Sequence, residues 1–168
     1  MSTFFAQPYN LDAVGFYFDT LDSFFAKSEK LTDSFGYPVE EFEIQFIDGD
    51  DAGLFSACNV SQANLNVWFE SIEDLSDSEK IALFYLCGVS GDAVDNALDK
   101  LDEVSLYEGR LQDAAEEMFD EIYLESVSEA IRAYIDYEKF ARDCEQGGDM
   151  VEFQCNGTIW TCTNASCQ

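Results

Sequence analysis

EFEIQFI, residues 41–47, alternates without a break: Phe42, Ile44 and Phe46 fall on one face, Glu41, Glu43 and Gln45 on the other. A period of two predicts a half-buried strand whose outer face carries carboxylates. Working outward, the apolar-rich segments 3–7 and 14–18 are further strand candidates. Between them and the alternating run, Leu21, Phe24, Phe25 and Leu31 fall at nearly helical spacing, and Gly36 and Pro38 then break the chain. The first third thus reads as a small sheet carrying one helix.

From Ser61 onward the period becomes helical. Ser61 is a candidate N-cap before Leu65, Trp68, Phe69 and Ile72. Ser76 with Glu79 makes a capping box ahead of Ile81, Leu83, Phe84 and Leu86, and Gly88 is the expected stop. A third helix follows from about Gly91, with Val94, Ala97, Leu98 and Leu101 on its buried side.

A fourth helix is predicted over 111–124. Leu111, Ala114, Ala115, Met118 and Ile122 form its apolar stripe, and Asp113, Glu116, Glu117, Asp120 and Glu121 the opposite one. Two short helices over 126–134 and 136–145 follow, the second capped by Asp136 and ended by Gly147. Asn156-Gly157 between two strand-like runs is a strong hairpin signal. The class is α+β, cut into three small domains: 1–60 (sheet plus helix), 61–103 (helical) and 104–168 (helices plus a C-terminal β-hairpin).

The charge is extreme. Eight Lys and Arg stand against 35 Asp and Glu, giving a net charge of −27 with no histidine. An aromatic content of 15% sets the chain apart from acidic disordered sequences, so it should fold. Eight scattered cations cannot track a phosphate backbone, which excludes direct nucleic-acid binding. The lack of histidine removes Ser-His-Asp triads, Cys-His dyads and His-ligated metals.

No tail holds the charge: residues 1–58, 59–103 and 104–168 carry −9, −8 and −10. Like charges at i,i+4 cost a helix a few tenths of a kcal/mol per pair, and solubility needs a net charge of only about 2–8. The excess therefore marks either a halophile-type surface or a function of the charge itself. At the density of B-DNA, one charge per about 1.7 Å of axis, such a charge corresponds to about 46 Å of duplex. A compact chain of this size is roughly 40 Å across. Carboxylates one helical turn apart lie about 5–6 Å from each other, near the spacing of successive phosphates.

Other chemistry finds little support. Asp48-Gly49-Asp50-Asp51-Ala52-Gly53 starts like a calcium loop, but its fifth position is Ala52 and its twelfth Asn59, where a bidentate Glu is required. Cys144, Cys155, Cys162 and Cys167 contain no C-x-x-C pair, so thiols are expected rather than zinc ligands. Nucleotide-binding glycine loops and the G-x-S-x-G elbow are missing. No catalytic residue and no cofactor is expected. The start, MSTFFAQP, lacks the basic and long apolar regions of a signal peptide, and no apolar run reaches membrane-spanning length. The expected location is cytoplasmic, away from membranes.

One block is more specific. Tyr134-Ile135-Asp136-Tyr137-Glu138-Lys139-Phe140-Ala141-Arg142-Asp143 closely resembles the Y-I-D-Y-E-x-Y/F-A/G-R-D stretch of the ArdA antirestriction proteins. Leu101 to Gly109 resembles that family's acidic segment followed by a Y-x-G turn, and Glu40 to Asp48 its E-E-[YF]-x-I-x-D strand. The order agrees from about residue 3 to 162. The cysteine-rich end, Cys155 to Cys167, departs from the family pattern.

The resemblance implies an elongated, curved chain of three small domains whose carboxylates imitate the phosphates of bent B-DNA. It implies occupation of the DNA groove of a type I restriction–modification enzyme, and dimerisation through the C-terminal domain. The expected phosphate-mimic surface is Asp92, Asp95, Asp99, Asp102, Glu103, Asp113, Glu116, Glu117, Asp120 and Glu121. Ile131, Tyr134, Ile135 and Tyr137 are candidate dimer contacts, with packing of the domain's own core as the other reading. An acidic adaptor or chaperone for a basic nucleoid-type protein is the alternative function.

Overall fold

The computed structural model describes residues 2–167 and is α+β, as the two periodicities predict. The chain forms two compact units, Met1–Lys80 and Ile81–Gln168.

In the first unit, β1 (Thr3–Pro8) is the central strand of an antiparallel sheet, flanked by β2 (Phe16–Phe18) and β3 (Phe42–Asp48). The register sets Phe4 opposite both Phe18 and Phe46. Phe42 and Ile44 are buried and Glu43 is exposed, so the alternation of 41–47 does choose the buried face. Helix α1 (Leu21–Ser28) starts where the Thr20 hydroxyl accepts from the Ser23 N–H at 3.1 Å, and it buries Phe24. Helix α2 (Ala52–Ala57) occupies part of the stretch that starts like a calcium loop, because Leu54 and Phe55 bury themselves in the core.

The helix expected from Ser61 opens as a 3-10 turn at Gln62–Asn64, becomes α3 (Leu65–Val67) and widens into a π turn at Trp68–Ile72. Its box closes with Asn64, whose side chain accepts from the Ser61 N–H at 2.7 Å. Trp68 is fully buried, with its ring 5.1 Å from that of Phe55 and 6.2 Å from that of Phe4. The first unit is thus held by aromatic packing, worth about 0.5–1.5 kcal/mol per pair beyond area burial.

Helix α4 (Asp77–Tyr85) carries the chain into the second unit. Its capping box is present: the Ser76 N–H donates to Glu79 at 2.8 Å, and the Glu79 N–H returns to Ser76 Oγ at 3.4 Å. The helix does not stop at Gly88. It continues as a π turn over Leu86–Ser90, and Gly91, at φ 86°, takes the left-handed cap. Helix α5 (Val94–Asp99) follows, burying Ala97.

Strand β4 (Leu106–Glu108) lies where the sequence suggests only a turn. It pairs with β6 (Thr158–Cys162), which pairs in turn with β5 (Val151–Cys155), giving the order β4-β6-β5. Asn156 and Gly157 have φ of 49° and 83°, the mirror-image turn that their sequence demands. Helix α6 (Leu111–Tyr123) and α8 (Tyr137–Gly147) pack through Leu111, Ala114, Ala115, Ala141 and Cys144, closed by Met150. The stripe of α6 is read correctly except at Ile122, which is 58% exposed. Between these helices, α7 is a single short turn at Glu129–Arg132. Asp136 caps α8 by accepting from the Lys139 N–H at 2.9 Å, and Gly148 rather than Gly147 is its left-handed stop.

Candidate functional site

The ten carboxylates expected to mimic phosphates all lie in the second unit. Eight of them are exposed: Asp95 and Asp99 on α5, Asp102 and Glu103 in the turn after it, and Asp113, Glu116, Glu117 and Glu121 on α6. The apolar stripe that buries α6 forces this arrangement, because Ala114 and Ala115 inside leave 113, 116, 117 and 121 outside.

The other two are engaged within the fold. Asp92 is half-buried and paired with Lys100, Oδ1 to Nζ 3.2 Å. Asp120 is half-buried and accepts from the Tyr137 hydroxyl at 2.6 Å. Nothing in their spacing distinguishes them from their neighbours. The signals are Lys100 one helix away and a tyrosine in the 134–143 block.

On α6 the density is high. Asp113 to Glu121 places five carboxylates along about 12 Å of helix axis, comparable to one phosphate per about 3.4 Å along one DNA strand. The helix N-terminus adds a sixth from the sheet: Glu152 accepts from the Leu111 N–H at 2.9 Å, the favourable end of the dipole for an anion.

Neighbouring phenols register this field. Burial, followed by the charges of Glu117 and Asp113, pushes the Tyr107 phenol up. The hydrogen bond to Asp120, with burial and the Asp120 and Glu116 charges, does the same at Tyr137. Burial at Tyr107 and the hydrogen bond at Tyr137 lead these shifts, and the neighbouring carboxylates add to them, since losing either proton would add an anion to an anionic face.

The candidate dimer contacts divide. Ile131 and Tyr134 are exposed, Tyr134 at 84%. Ile135 and Tyr137 are half-buried, and the Tyr137 ring meets Phe119 edge-on at 5.5 Å. Tyr137 therefore serves the unit's own packing.

Among the described residues, no group of three or more Cys, Asp or Glu is placed to hold a metal ion. Cys58, Cys144, Cys155 and Cys162 are buried, and burial pushes the Cys144 thiol up. No helix is long and apolar enough to cross a membrane, among the described residues. The profile of the Antirestriction protein (ArdA) family matches residues 18–157. No curated protein and no solved structure matches the chain.

Proposed function

Because the chain belongs to the ArdA family of antirestriction proteins, we propose that it blocks a type I restriction–modification enzyme by occupying that enzyme's DNA-binding groove as a DNA mimic. The observation that carries this reading is the ordered row of exposed carboxylates on α6, at a linear density close to that of a DNA strand. A preformed polyanion meets a basic groove without the ordering cost of a flexible tail. Long-range attraction makes its association fast and salt-sensitive. Inhibition needs no bond to be made or broken, so the protein acts by occlusion and not as an enzyme.

The contributors are Asp95, Asp99, Asp102, Glu103, Asp113, Glu116, Glu117 and Glu121, with Asp92 and Asp120 in the same array although paired with Lys100 and Tyr137. Methylation by the same enzyme is blocked for the same reason, since both reactions use the bound DNA. Dimerisation through Ile131 and Tyr134 belongs to this reading, as does a working division at residues 60 and 103.

The test is a graded set of variants in a DNA-displacement assay. Single Asp→Asn or Glu→Gln changes are expected to alter inhibition by less than about threefold, and neutralising all eight exposed positions to abolish it. One single change that abolishes inhibition in a folded protein would refute a distributed mimic.

A further inference from the structure

The exposed carboxylates of the second unit stand in two places, and one sheet holds both. The first is α6. Glu152 on β5 accepts from the Leu111 N–H at 2.9 Å, and the Gly109 N–H donates to the Ile159 carbonyl of β6 at 3.0 Å. The hydroxyl of the fully buried Thr161 donates to the Gly109 carbonyl at 2.9 Å. These bonds fix the start of the helix, and with it the places of Asp113, Glu116, Glu117 and Glu121. The second is the 3-10 turn Leu101–Glu103, which carries Asp102 and Glu103 on from Asp95 and Asp99 of α5.

That turn lies outside the strand. The register of β4 opens with Leu106 opposite Cys162, and the Thr163 N–H adds one more backbone bond, to the Ser105 carbonyl at 2.9 Å. Past that point the side chain of Asn164 takes over. Its Oδ1 accepts from the Ser105 N–H at 2.9 Å, and its Nδ2 donates to the Glu103 carbonyl at 2.7 Å. A primary amide is donor and acceptor at once. Asn164 therefore offers residues 103 and 105 what the peptide group of a neighbouring strand would, and the ladder gains a rung made by a side chain. The amide is itself held in place. The thiol of the fully buried Cys162 donates to Oδ1 at 3.5 Å, and the next residue, Ala165, donates its N–H to the Asp149 carbonyl at 2.9 Å.

Asn164 lies beyond residues 18–157, the span that the family profile matches, in the cysteine-rich end of the chain. Resting on the DNA-mimic reading above, we propose that Asn164 is a positioning residue of the array: through the backbone at 103 and 105 it holds Asp102 and Glu103 in a fixed place relative to the carboxylates of α6. A groove built for DNA meets phosphates at set spacings, and charges already in place lose little conformational entropy when they bind. A carboxylate on a loosened turn keeps its charge but not its place. The role is exerted at a distance, because Asn164 is uncharged and its amide is spent on the two backbone groups.

A double-mutant cycle, read as displacement of DNA from a purified type I methyltransferase, tests the assignment. Asn164→Ala is introduced into the wild-type chain and into Asp102→Asn/Glu103→Gln. A residue that acts through those two carboxylates is coupled to them, so the expected result is at least about threefold weaker inhibition in the wild-type chain and almost no further loss in the neutralised one. Equal loss in both backgrounds, the mark of a merely weakened fold, would overturn the proposal, and so would a smaller loss in the wild-type chain. Amide hydrogen exchange at Ser105 reads the clasp without DNA: slow in wild type and fast in the variant is expected, and fast exchange in wild type would overturn the clasp while leaving mimicry in place. Asn164→Asp, which keeps the acceptor for Ser105 and loses the donor to Glu103, replaces the alanine variant if that one does not fold. If neither folds, Asn164 is a residue of the fold and the proposal falls. Wild-type protein that displaces no DNA while its Ser105 amide stays protected would overturn the mimicry reading and this role with it.

Discussion

Replacing Glu116, Glu117 and Glu121 by Gln should make the protein more stable and a weaker inhibitor. All three are exposed on α6. Five like-charge contacts at i,i+3 or i,i+4 disappear together: Asp113–Glu116, Asp113–Glu117, Glu116–Asp120, Glu117–Asp120 and Glu117–Glu121. At about 0.2–0.5 kcal/mol each, the relief is about 1–2.5 kcal/mol. Little offsets it. Gln has nearly the helix propensity of Glu, and glutamine at 117 still offers an oxygen to Tyr107. Asp113 stays in the first turn, where the dipole favours it, and Asp120 keeps its bond to Tyr137. Charges about 5–6 Å apart lie inside the Debye length of about 8 Å at physiological salt and outside that of about 3 Å at 1 M. The gain should therefore be largest at low salt and fade in molar salt. Urea denaturation at the two salt concentrations measures it, and DNA displacement on the same samples measures function. Equal stabilisation at both salts, or none at low salt, would refute the claim that the array is kept against its own repulsion.

Other consequences concern the fold. Leu83→Ala removes a fully buried side chain of the second unit and should cost about 2–5 kcal/mol in denaturant unfolding; a loss below 1 kcal/mol would mean that α4 is not close-packed. Burial, reinforced by the Asp74 charge, holds the Glu73 carboxyl above its ordinary value. The native state therefore binds that proton more tightly than the unfolded chain does, and stability is lost as pH rises through the raised value. Glu73→Gln should stabilise the protein at neutral pH, the difference closing below the ordinary value of 4.5; a difference that persists in acid would contradict the assignment. Limited proteolysis tests the working division: three parts require cuts near 60 and 103, and a single cut near 80 would leave two.

Much of this was legible because local patterns and burial agree. The period-two run at 41–47, the stripe of α6 and the Asn156-Gly157 turn each encode their own conformation. The misses have tertiary causes. Helix α2 is six residues whose place is fixed by Leu54 and Phe55 entering the aromatic core. Strand β4 is three residues long and exists because β6 offers it an edge. Gly88 could end a helix, but the chain runs on to Gly91. At the site, helical phase alone places 113, 116, 117 and 121 outside. It cannot show that Tyr137, more than a dozen residues away, reaches Asp120, nor that Asn164 bonds the backbone at Glu103 and Ser105.

The most direct measurement is displacement of DNA from a type I restriction–modification methyltransferase by the wild-type protein, titrated at low and at physiological salt. The account predicts release of DNA at near-stoichiometric protein, with an apparent affinity that weakens as salt rises. Folded protein that leaves the DNA bound at low salt would contradict mimicry and shift the reading to an acidic adaptor for a basic protein.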